Sequence, residues 1–455
     1  MSLYHEEFLA RFGGGEAPAC ACGRIHRVTL REAIVGPGAL EESAERLSRG
    51  PWRATWVLSD GNTEAAAGAR WKGLVRGKRV RGRVLPAAPR PVPTEALVSE
   101  LAAEAREASP DLVVAVGSGV VSDLGKAIAG ETGRPSWSIA TAGSVDAYTS
   151  ATSAIRVAGY HTPVPVPPSE VVVCDASVIA EAPRRLFWAG LGDLLAKYLA
   201  RVDWFLAHAV TGEYFCEAVS ALALGSARRA IEAASLLASD PAAAAIALSD
   251  ASLVSGLCMQ AIGSSRPAAA AEHTIAHFWE MAGAAQKEEF DLHGLLVGAA
   301  SRPILGGYLA LAPRLRAAEV DPAARREALE REPPWEAVLP PELIRFRATI
   351  EAVVRSSEAG RPSPETRLRA FSRRREEILN AADPVLRELE AAVKTLERLG
   401  FPFSPAELGI AEPWLRLGVR HVRWLRDRYT TFDLAHDLGE EPMLAAAVEA
   451  ALATP

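Results

Sequence analysis

Residues 112–130 read LVVAVGSGVVSDLGKAIAG, an apolar run of strand length followed by two glycines and a helical pattern. Glycines at a strand-to-helix turn let backbone N–H groups approach a phosphate, and the helix N-terminus favours its negative charge. The third glycine of the usual dinucleotide fingerprint is missing, so an ordinary tight turn stays open as an alternative. The stretch predicts a β–turn–α unit that could hold a phosphate.

Further apolar runs of strand length surround this unit. They are Ala54–Leu58, Val80–Leu85, Ser136–Ala140 and Val171–Cys174, and Pro93–Ala108 has the spacing of a helix. Because short strands alternate with helices, the pattern predicts βαβ units and a mostly parallel sheet.

The pattern changes after Pro183, where strand signals end and Ala and Leu recur at helical spacing. We therefore expect an α/β domain over residues 1–180 and an all-helical domain over residues 181–455. Within the second, Val385–Leu399 is predicted to begin a helix after Pro384, since proline is tolerated at a helix start but not inside. The Pro-rich, charged segment 331–366 predicts a loop or insertion.

Composition narrows the class of protein. The net charge of −6 over 455 residues argues against a nucleic-acid binder, which usually has a basic domain. The longest uncharged stretch, Ala251–Ser265, is too short and polar to cross a membrane, and the N-terminus shows no signal peptide. Five scattered cysteines do not form a disulfide framework. These features predict a reduced, cytoplasmic protein with no membrane partner.

Two polar stretches follow predicted strands, at the edge where ligands bind in open α/β sheets. Asp60 could bond a ribose 2′-hydroxyl and repel a 2′-phosphate, or be a surface turn residue. Residues 141–150, TAGSVDAYTS, carry small hydroxyl groups and one acid, Asp146, and could line a ligand or form an ordinary polar loop.

Histidines and an acid of the helical part could hold a metal. His273 and His277 are four residues apart and share one face of a helix, which suits two imidazoles directed at one metal or substrate. His293 follows closely and Asp193 precedes them, and two His with one carboxylate is typical of zinc or iron sites with an open position. Histidines of the core or surface are the alternative.

A third group, Cys20, Cys22 and His26, offers soft ligands near the N-terminus. The spacing matches none of the well-defined zinc patterns, so a structural or solvated loop is the alternative.

Eight stretches together resemble the glycerol-1-phosphate dehydrogenases, most closely the bacterial AraM-like branch. The larger fold group also holds 3-dehydroquinate synthase and the iron-containing alcohol dehydrogenases. The likeness spans nearly the whole chain, and the linked GxGD, SRP…EHxxxH and LHG motifs are its most specific part. The stretches are CACGRIH (20–26), SDGNT (59–63), VGSGVVSDLGKA (116–127), TAGSVDAYTS (141–150), AGLGDLLAKYLARVDW (189–204), SRPAAAAEHTIAHFWEM (265–281), LHGLLVG (292–298) and RDRYTTFDLAHDLG (426–439).

The resemblance implies an NAD-linked (NADP is the alternative), metal-dependent dehydrogenase that interconverts dihydroxyacetone phosphate and sn-glycerol 1-phosphate. It implies one divalent metal, Zn²⁺ first with Ni²⁺ or Fe²⁺ as alternatives, a small phosphorylated polyol or ketone substrate and a homo-oligomer. Asp193, His273 and His293 would bind the metal, and His277, Asp193 and Asp146 would serve substrate and catalysis. The cofactor would contact Asp60, Gly117, Ser118, Gly119, Val120, Val121, Thr141, Ala142, Gly143, Ser144 and Ser150.

The chain departs from the family pattern beside Asp146. Gly143 stands where Pro is usual and Ala147 where Gly is usual, which alters the wall of the predicted substrate pocket. Three alternative functions stay open: a dehydrogenase of another polyol, a dehydroquinate-synthase-like cyclase, and an inactive homologue that binds NAD or metal. Few cationic residues, mainly Lys197 and Arg266, lie near the motifs, which disfavours the cyclase.

Overall fold

The computed structural model describes residues 3–13, 19–157, 160–286 and 290–452. The chain forms two compact units that alternate along the sequence. Unit 1 comprises residues 1–194, 217–268 and 284–295, and unit 2 comprises residues 195–216, 269–283 and 296–455. The division into domains at residue 180 stays a prediction.

Strands occur in unit 1. Six of them form one parallel sheet in the order β1-β8-β5-β4-β2-β3, and β6 pairs with β7 as an antiparallel hairpin. The predicted α/β class with a mostly parallel sheet is thereby confirmed. The strands are β1 (Glu32–Gly36), β2 (Ala54–Asp60), β3 (Arg79–Leu85), β4 (Leu112–Val116), β5 (Ser136–Ala140), β6 (Thr152–Val157), β7 (Tyr160–Pro165) and β8 (Val171–Asp175).

Helices surround the sheet in unit 1 and make up unit 2. In chain order the α-helices of the described residues are α1 (Tyr4–Phe12), α2 (Ala39–Arg49), α3 (Gly61–Thr63), α4 (Ala69–Leu74), α5 (Glu95–Ala108), α6 (Val120–Thr132), α7 (Ala176–Ala180), α8 (Arg184–Leu195), α9 (Lys197–Thr211), α10 (Glu217–Leu236), α11 (Pro241–Ile262), α12 (Ala271–Gln286), α13 (His293–Ala317), α14 (Pro322–Glu330), α15 (Trp335–Val338), α16 (Arg347–Gly360), α17 (Pro364–Leu399), α18 (Glu412–Arg420), α19 (Thr431–Leu438) and α20 (Glu441–Leu452). Unit 2 contains α9, α14 to α20 and most of α12 and α13.

Both faces of the parallel sheet are buried. Leu112, Val114 and Val116 of β4 pack on one side with apolar residues of α2 and α4. Val113 and Ala115 pack on the other side with residues of α5 and α6. This two-sided burial explains why the strand has a continuous apolar sequence rather than an alternating one.

The sheet order places three loops side by side. Strands β2, β4 and β5 are consecutive neighbours and parallel, so their carboxyl ends meet at one edge. Asp60 ends β2, the turn 117–119 follows β4, and the loop 141–150 follows β5. Ligands of open α/β sheets bind at this edge.

Two predictions about the helical part are wrong. Pro384 lies inside α17, which runs unbroken from Pro364 to Leu399, and most of segment 331–366 is helical rather than looped. The alternative that this segment is an insertion stays a prediction. Proline in a helix interior loses a hydrogen bond and clashes with the preceding turn. The apolar face of α17 is buried on both sides of the proline, at Ile378 and Leu379 before it and at Leu386 after it, and tertiary packing of this kind can outweigh the local cost.

Two helices, α11 and α13, are long and apolar enough to cross a membrane by length and composition alone. In each, 72% of the apolar window is buried inside the protein. Both therefore have the burial of core helices.

Candidate cofactor and metal site

The turn between β4 and α6 is shaped by its glycines. Gly119 precedes α6 with a φ of +47°, a conformation that favours glycine. A Cβ on Gly117 would lie 2.6 Å from Cβ of Val121, so only glycine fits there. The hydroxyl of Ser144 donates to that of Ser118 at 3.2 Å and joins this turn to the loop after β5. The first turn of a helix presents backbone N–H groups without intrahelical partners, which suits a phosphate.

Asp60 caps the short helix that follows β2. Its Oδ1 accepts hydrogen bonds from the backbone N–H of Asn62 at 2.8 Å and of Thr63 at 2.9 Å. The hydroxyl of Thr63 in turn accepts from the backbone N–H of Asp60 at 2.9 Å. The cap fixes the carboxylate at the sheet edge and occupies Oδ1, so Oδ2 is the atom that could meet a ribose hydroxyl.

The loop 141–150 is buried and held by α11. The Thr149 hydroxyl donates to the carbonyl of Leu253 at 2.9 Å. The Ser255 hydroxyl donates to Oδ2 of Asp146 at 2.6 Å. These contacts immobilise the loop, so Asp146 has a defined position before any ligand binds.

Lys126, which was not among the predicted site residues, anchors the same loop from α6. Its fully buried ammonium donates to the carbonyls of Ala147 at 2.8 Å and Thr152 at 2.7 Å, and lies 3.4 Å from the Ser150 hydroxyl. Burial lowers its pKa, and Asp123 at 3.3 Å opposes that shift. A lysine in the middle of a mostly apolar helix, three residues after Asp123, was the signal that could have identified it.

Two glycines bring α8 against its neighbours. A Cβ on Gly190 of α8 would lie 1.7 Å from the carbonyl oxygen of Gly143. A Cβ on Gly294 would lie 1.8 Å from the carbonyl oxygen of Ala189. Real side chains cannot occupy those positions, so the first glycine of the GxGD motif and the glycine of the LHG motif have a steric reason.

This close approach places Asp193 beside His293. A carboxylate oxygen of Asp193 and a ring nitrogen of His293 lie within 4.8 Å of each other. Arg185 of α8 pairs with Asp291 through an Nε–Oδ1 contact of 2.9 Å, which holds the segment leading to His293. Asp193 and His293, the two predicted metal ligands in unit 1, therefore lie close enough to share one metal ion.

In unit 2, α12 carries His273 and His277 with their rings 6.3 Å apart. Nδ1 of His273 lies 2.9 Å from Oε1 of Glu272, and Nδ1 of His277 lies 2.8 Å from Oε2 of Glu280. A carboxylate accepts, so Nδ1 is the protonated nitrogen in each ring and Nε2 has the lone pair. Metal-binding histidines usually have this carboxylate support.

Glu272 is itself fully buried. Its Oε1 also accepts from the backbone N–H of Ala270 at 2.8 Å, whereas Oε2 has no hydrogen-bond partner among the described residues. Burial raises the pKa of the nearby Asp203 to about 7, and the charge of Glu272 adds to that shift. A buried carboxylate behind a histidine is costly in a purely structural role, and is the arrangement expected behind a metal ligand.

The chain resembles known dehydrogenases over nearly its whole length. A family model described as "Iron-containing alcohol dehydrogenase" matches residues 34–183. Glycerol-1-phosphate dehydrogenase [NAD(P)+] of Bacillus velezensis is 31% identical over 308 residues, which cover 67% of this chain and 77% of that protein. The Geobacillus stearothermophilus protein of the same name is 26% identical over 429 residues, covering 93% and 96%.

The fold has a solved counterpart. A probable glycerol dehydrogenase from Sinorhizobium meliloti superimposes with a TM-score of 0.60 at 18% identity, over 93% of this chain and 97% of that one. The sequence relatives and the fold agree, and the chain belongs to the glycerol-1-phosphate dehydrogenase family.

Proposed function

We propose that this protein is an NAD(P)-dependent, metal-dependent dehydrogenase that interconverts dihydroxyacetone phosphate and sn-glycerol 1-phosphate. The observation that carries the proposal is the 31% identity to the Bacillus velezensis enzyme over 77% of that enzyme's length. The side chains that this chemistry requires are present, and their local geometry supports it.

The metal ligands in this proposal are Asp193, His273 and His293. Support comes from the meeting of Asp193 with His293 in unit 1 and from the carboxylate behind His273 in unit 2. An oxygen and two imidazole nitrogens fit Zn²⁺, Ni²⁺ or Fe²⁺ and leave a coordination position for substrate. We take Zn²⁺ as the first candidate, with elemental analysis to decide.

The cofactor in this proposal lies along the carboxyl edge of the parallel sheet, within the predicted domain 1–180. The turn at Gly117, Ser118, Gly119, Val120 and Val121 would bind the pyrophosphate at the start of α6. Oδ2 of Asp60 would accept a ribose hydroxyl and disfavour a 2′-phosphate. The nicotinamide half would lie against Thr141, Ala142, Gly143, Ser144 and Ser150.

When bound, the reduced nicotinamide supplies the hydride and the metal supplies Lewis-acid polarisation of the substrate carbonyl. Asp146 orients the three-carbon chain by accepting a hydroxyl hydrogen bond. His277 moves a proton to or from the substrate oxygen at Nε2, while Glu280 holds the proton on Nδ1.

The test is NADH oxidation by the purified metal-containing protein on adding dihydroxyacetone phosphate, beside unphosphorylated ketones and polyols. Enzymes specific for each glycerol phosphate enantiomer then identify the product. Turnover of an unphosphorylated polyol with none of dihydroxyacetone phosphate would contradict the proposed substrate. We also propose a cytoplasmic homo-oligomer, with subunit number measured by analytical ultracentrifugation.

A further inference from the structure

The N-terminal segment brings two thiols and an imidazole together at residues 20–26. A tight turn forms at residues 20–24, with the backbone N–H of Gly23 donating to the carbonyl of Cys20 at 2.8 Å and that of Cys20 donating to Arg24 at 2.9 Å. Gly23 has a φ of +82°, which favours glycine at this position. The turn directs Cys20 and Cys22 towards His26, with the sulfurs and a ring nitrogen all within 4.8 Å of one another.

His26 is oriented as a metal ligand would be. Its Nδ1 lies 2.9 Å from the carbonyl oxygen of Ala261 at the end of α11. A carbonyl only accepts, so Nδ1 has the proton and Nε2 has the lone pair. Nε2 lies 3.3 Å from Sγ of Cys22, and the ring of Phe12 meets the imidazole edge-on at 5.3 Å. A backbone carbonyl that fixes the tautomer is the usual support for a histidine bound to zinc.

The spacing of these atoms is close to that of a zinc site. With Zn–S of ~2.3 Å and Zn–N of ~2.0–2.1 Å, a tetrahedron has a sulfur–nitrogen edge of about 3.6 Å. The 3.3 Å between Cys22 and His26 requires only a small outward adjustment. A simple thiol–imidazole hydrogen bond would account for that pair but not for the third donor, Cys20.

We propose that Cys20, Cys22 and His26 bind one Zn²⁺ that fastens the N-terminal segment to α11. Two sulfurs and one imidazole are zinc ligands, whereas the Asp/His/His set contains no sulfur. Zinc binds thiolates, so loading the two cysteine thiols releases two protons.

Cobalt substitution of the full chain tests the site with a signal that the Asp/His/His site cannot produce. Only a cysteine-ligated Co²⁺ gives a sulfur-to-cobalt charge-transfer band in the near ultraviolet. We expect the protein as purified to hold two metals per chain by elemental analysis, and the metal-free protein to develop the band with Co²⁺. Cys20→Ser and Cys22→Ser should each lose the band and one metal. Cys258→Ser, a thiol elsewhere in the same unit, should keep both.

The native chain provides a readout that does not depend on folded variants. Cys20 and Cys22 should resist a thiol reagent until a chelator removes the metal, and then react. A native protein with no cobalt–thiolate band would overturn the proposal, even if the Asp/His/His metal and dehydrogenase activity were intact. Loss of activity with the band retained would instead contradict the proposed function alone.

Discussion

The backbone N–H of Asp146 donates to Oδ2 of Asp193 across 3.3 Å. This hydrogen bond joins the loop that follows β5 to the helix α8 that supplies a proposed metal ligand. Gly190, three residues before Asp193, allows the same approach by leaving room for the carbonyl of Gly143. The loop 141–150 and Asp193 are thus held in contact, so a substitution that moves one of them should also move the other.

Gly294→Ala should disrupt this coupling. The new methyl would lie 1.8 Å from the carbonyl oxygen of Ala189, so backbone must move to admit it. Overpacking of this kind costs about 1–3 kcal/mol of unfolding free energy. Because His293 is the preceding residue, metal affinity and kcat should fall as well, measured by chemical denaturation and metal titration.

Gly73→Ala is the matched control for that substitution. Gly73 is an exposed position in the helix α4, and its added Cβ would meet nothing within 4 Å. Alanine should leave activity unchanged and raise stability by up to about 1 kcal/mol through helix propensity. If Gly294→Ala and Gly73→Ala had the same unfolding free energy, metal affinity and kcat, the steric explanation of Gly294 would be refuted.

His293→Ala should lose metal and activity together. Removing one of three protein ligands weakens an open site strongly, because two remaining ligands hold the metal less tightly. Elemental analysis of the purified variant measures the loss, with His208→Gln as the control because His208 pairs with the carbonyl of Glu213 instead. Full occupancy of the Asp/His/His site in the variant would remove His293 from the proposed ligand set.

Asp60→Ser should narrow the preference for NADH over NADPH. Serine can still cap α3 by accepting from the backbone N–H of Thr63, so the local fold is kept while the charge is removed. The ratio of kcat/KM for the two cofactors is the measurement. If the parent protein already used NADPH more efficiently, Asp60 would not be the ribose ligand.

The parallel sheet could be predicted because its strands are buried on both faces and therefore have continuous apolar sequences, as β4 does. The edge strand β1 and the hairpin β6–β7 were missed, since β1 has a run of only three apolar side chains, at 33–35, and Ser153 and Arg156 limit the apolar run of β6 to two residues. The continuity of α17 through Pro384 depends on tertiary contacts that periodicity does not report.

The site could be predicted only in part, for a related reason. Histidine spacing alone favoured both His273 and His277 as ligands, and the family resemblance was needed to separate them. The closeness of Asp193 and His293 depends on the close approach of Gly294 to the backbone of Ala189, and these two residues are 105 positions apart in sequence. No local pattern reports such a contact.

Asp203→Asn should flatten the pH dependence of stability. Burial raises the pKa of Asp203 from 3.8 to about 7, so between these values the native state binds a proton that the unfolded state has released. The free energy of unfolding then falls as pH rises through this window. Asparagine can keep the acceptor for the Thr431 hydroxyl and backbone N–H without titrating. Denaturation at several pH values measures the slope.

The exposed substitution Glu336→Gln in unit 2 should keep the parental slope. If the Asp203→Asn variant kept the parental slope of unfolding free energy against pH, the group that titrates in this window would not be Asp203.

Asp146→Ala should lower kcat/KM for dihydroxyacetone phosphate by about 100-fold while NADH affinity stays nearly unchanged. The loop is held by α11 through Thr149 and by Lys126, so deleting one carboxylate removes an orienting contact without releasing the loop. Misplacing a substrate by about 1 Å can cost this much. Asp146→Asn, which still accepts from the Ser255 hydroxyl, should recover part of the activity. Gly143 and Ala147 alter the wall of the proposed substrate pocket beside Asp146. If Asp146→Ala weakened only the binding of NADH, Asp146 would be a cofactor contact and not a substrate contact.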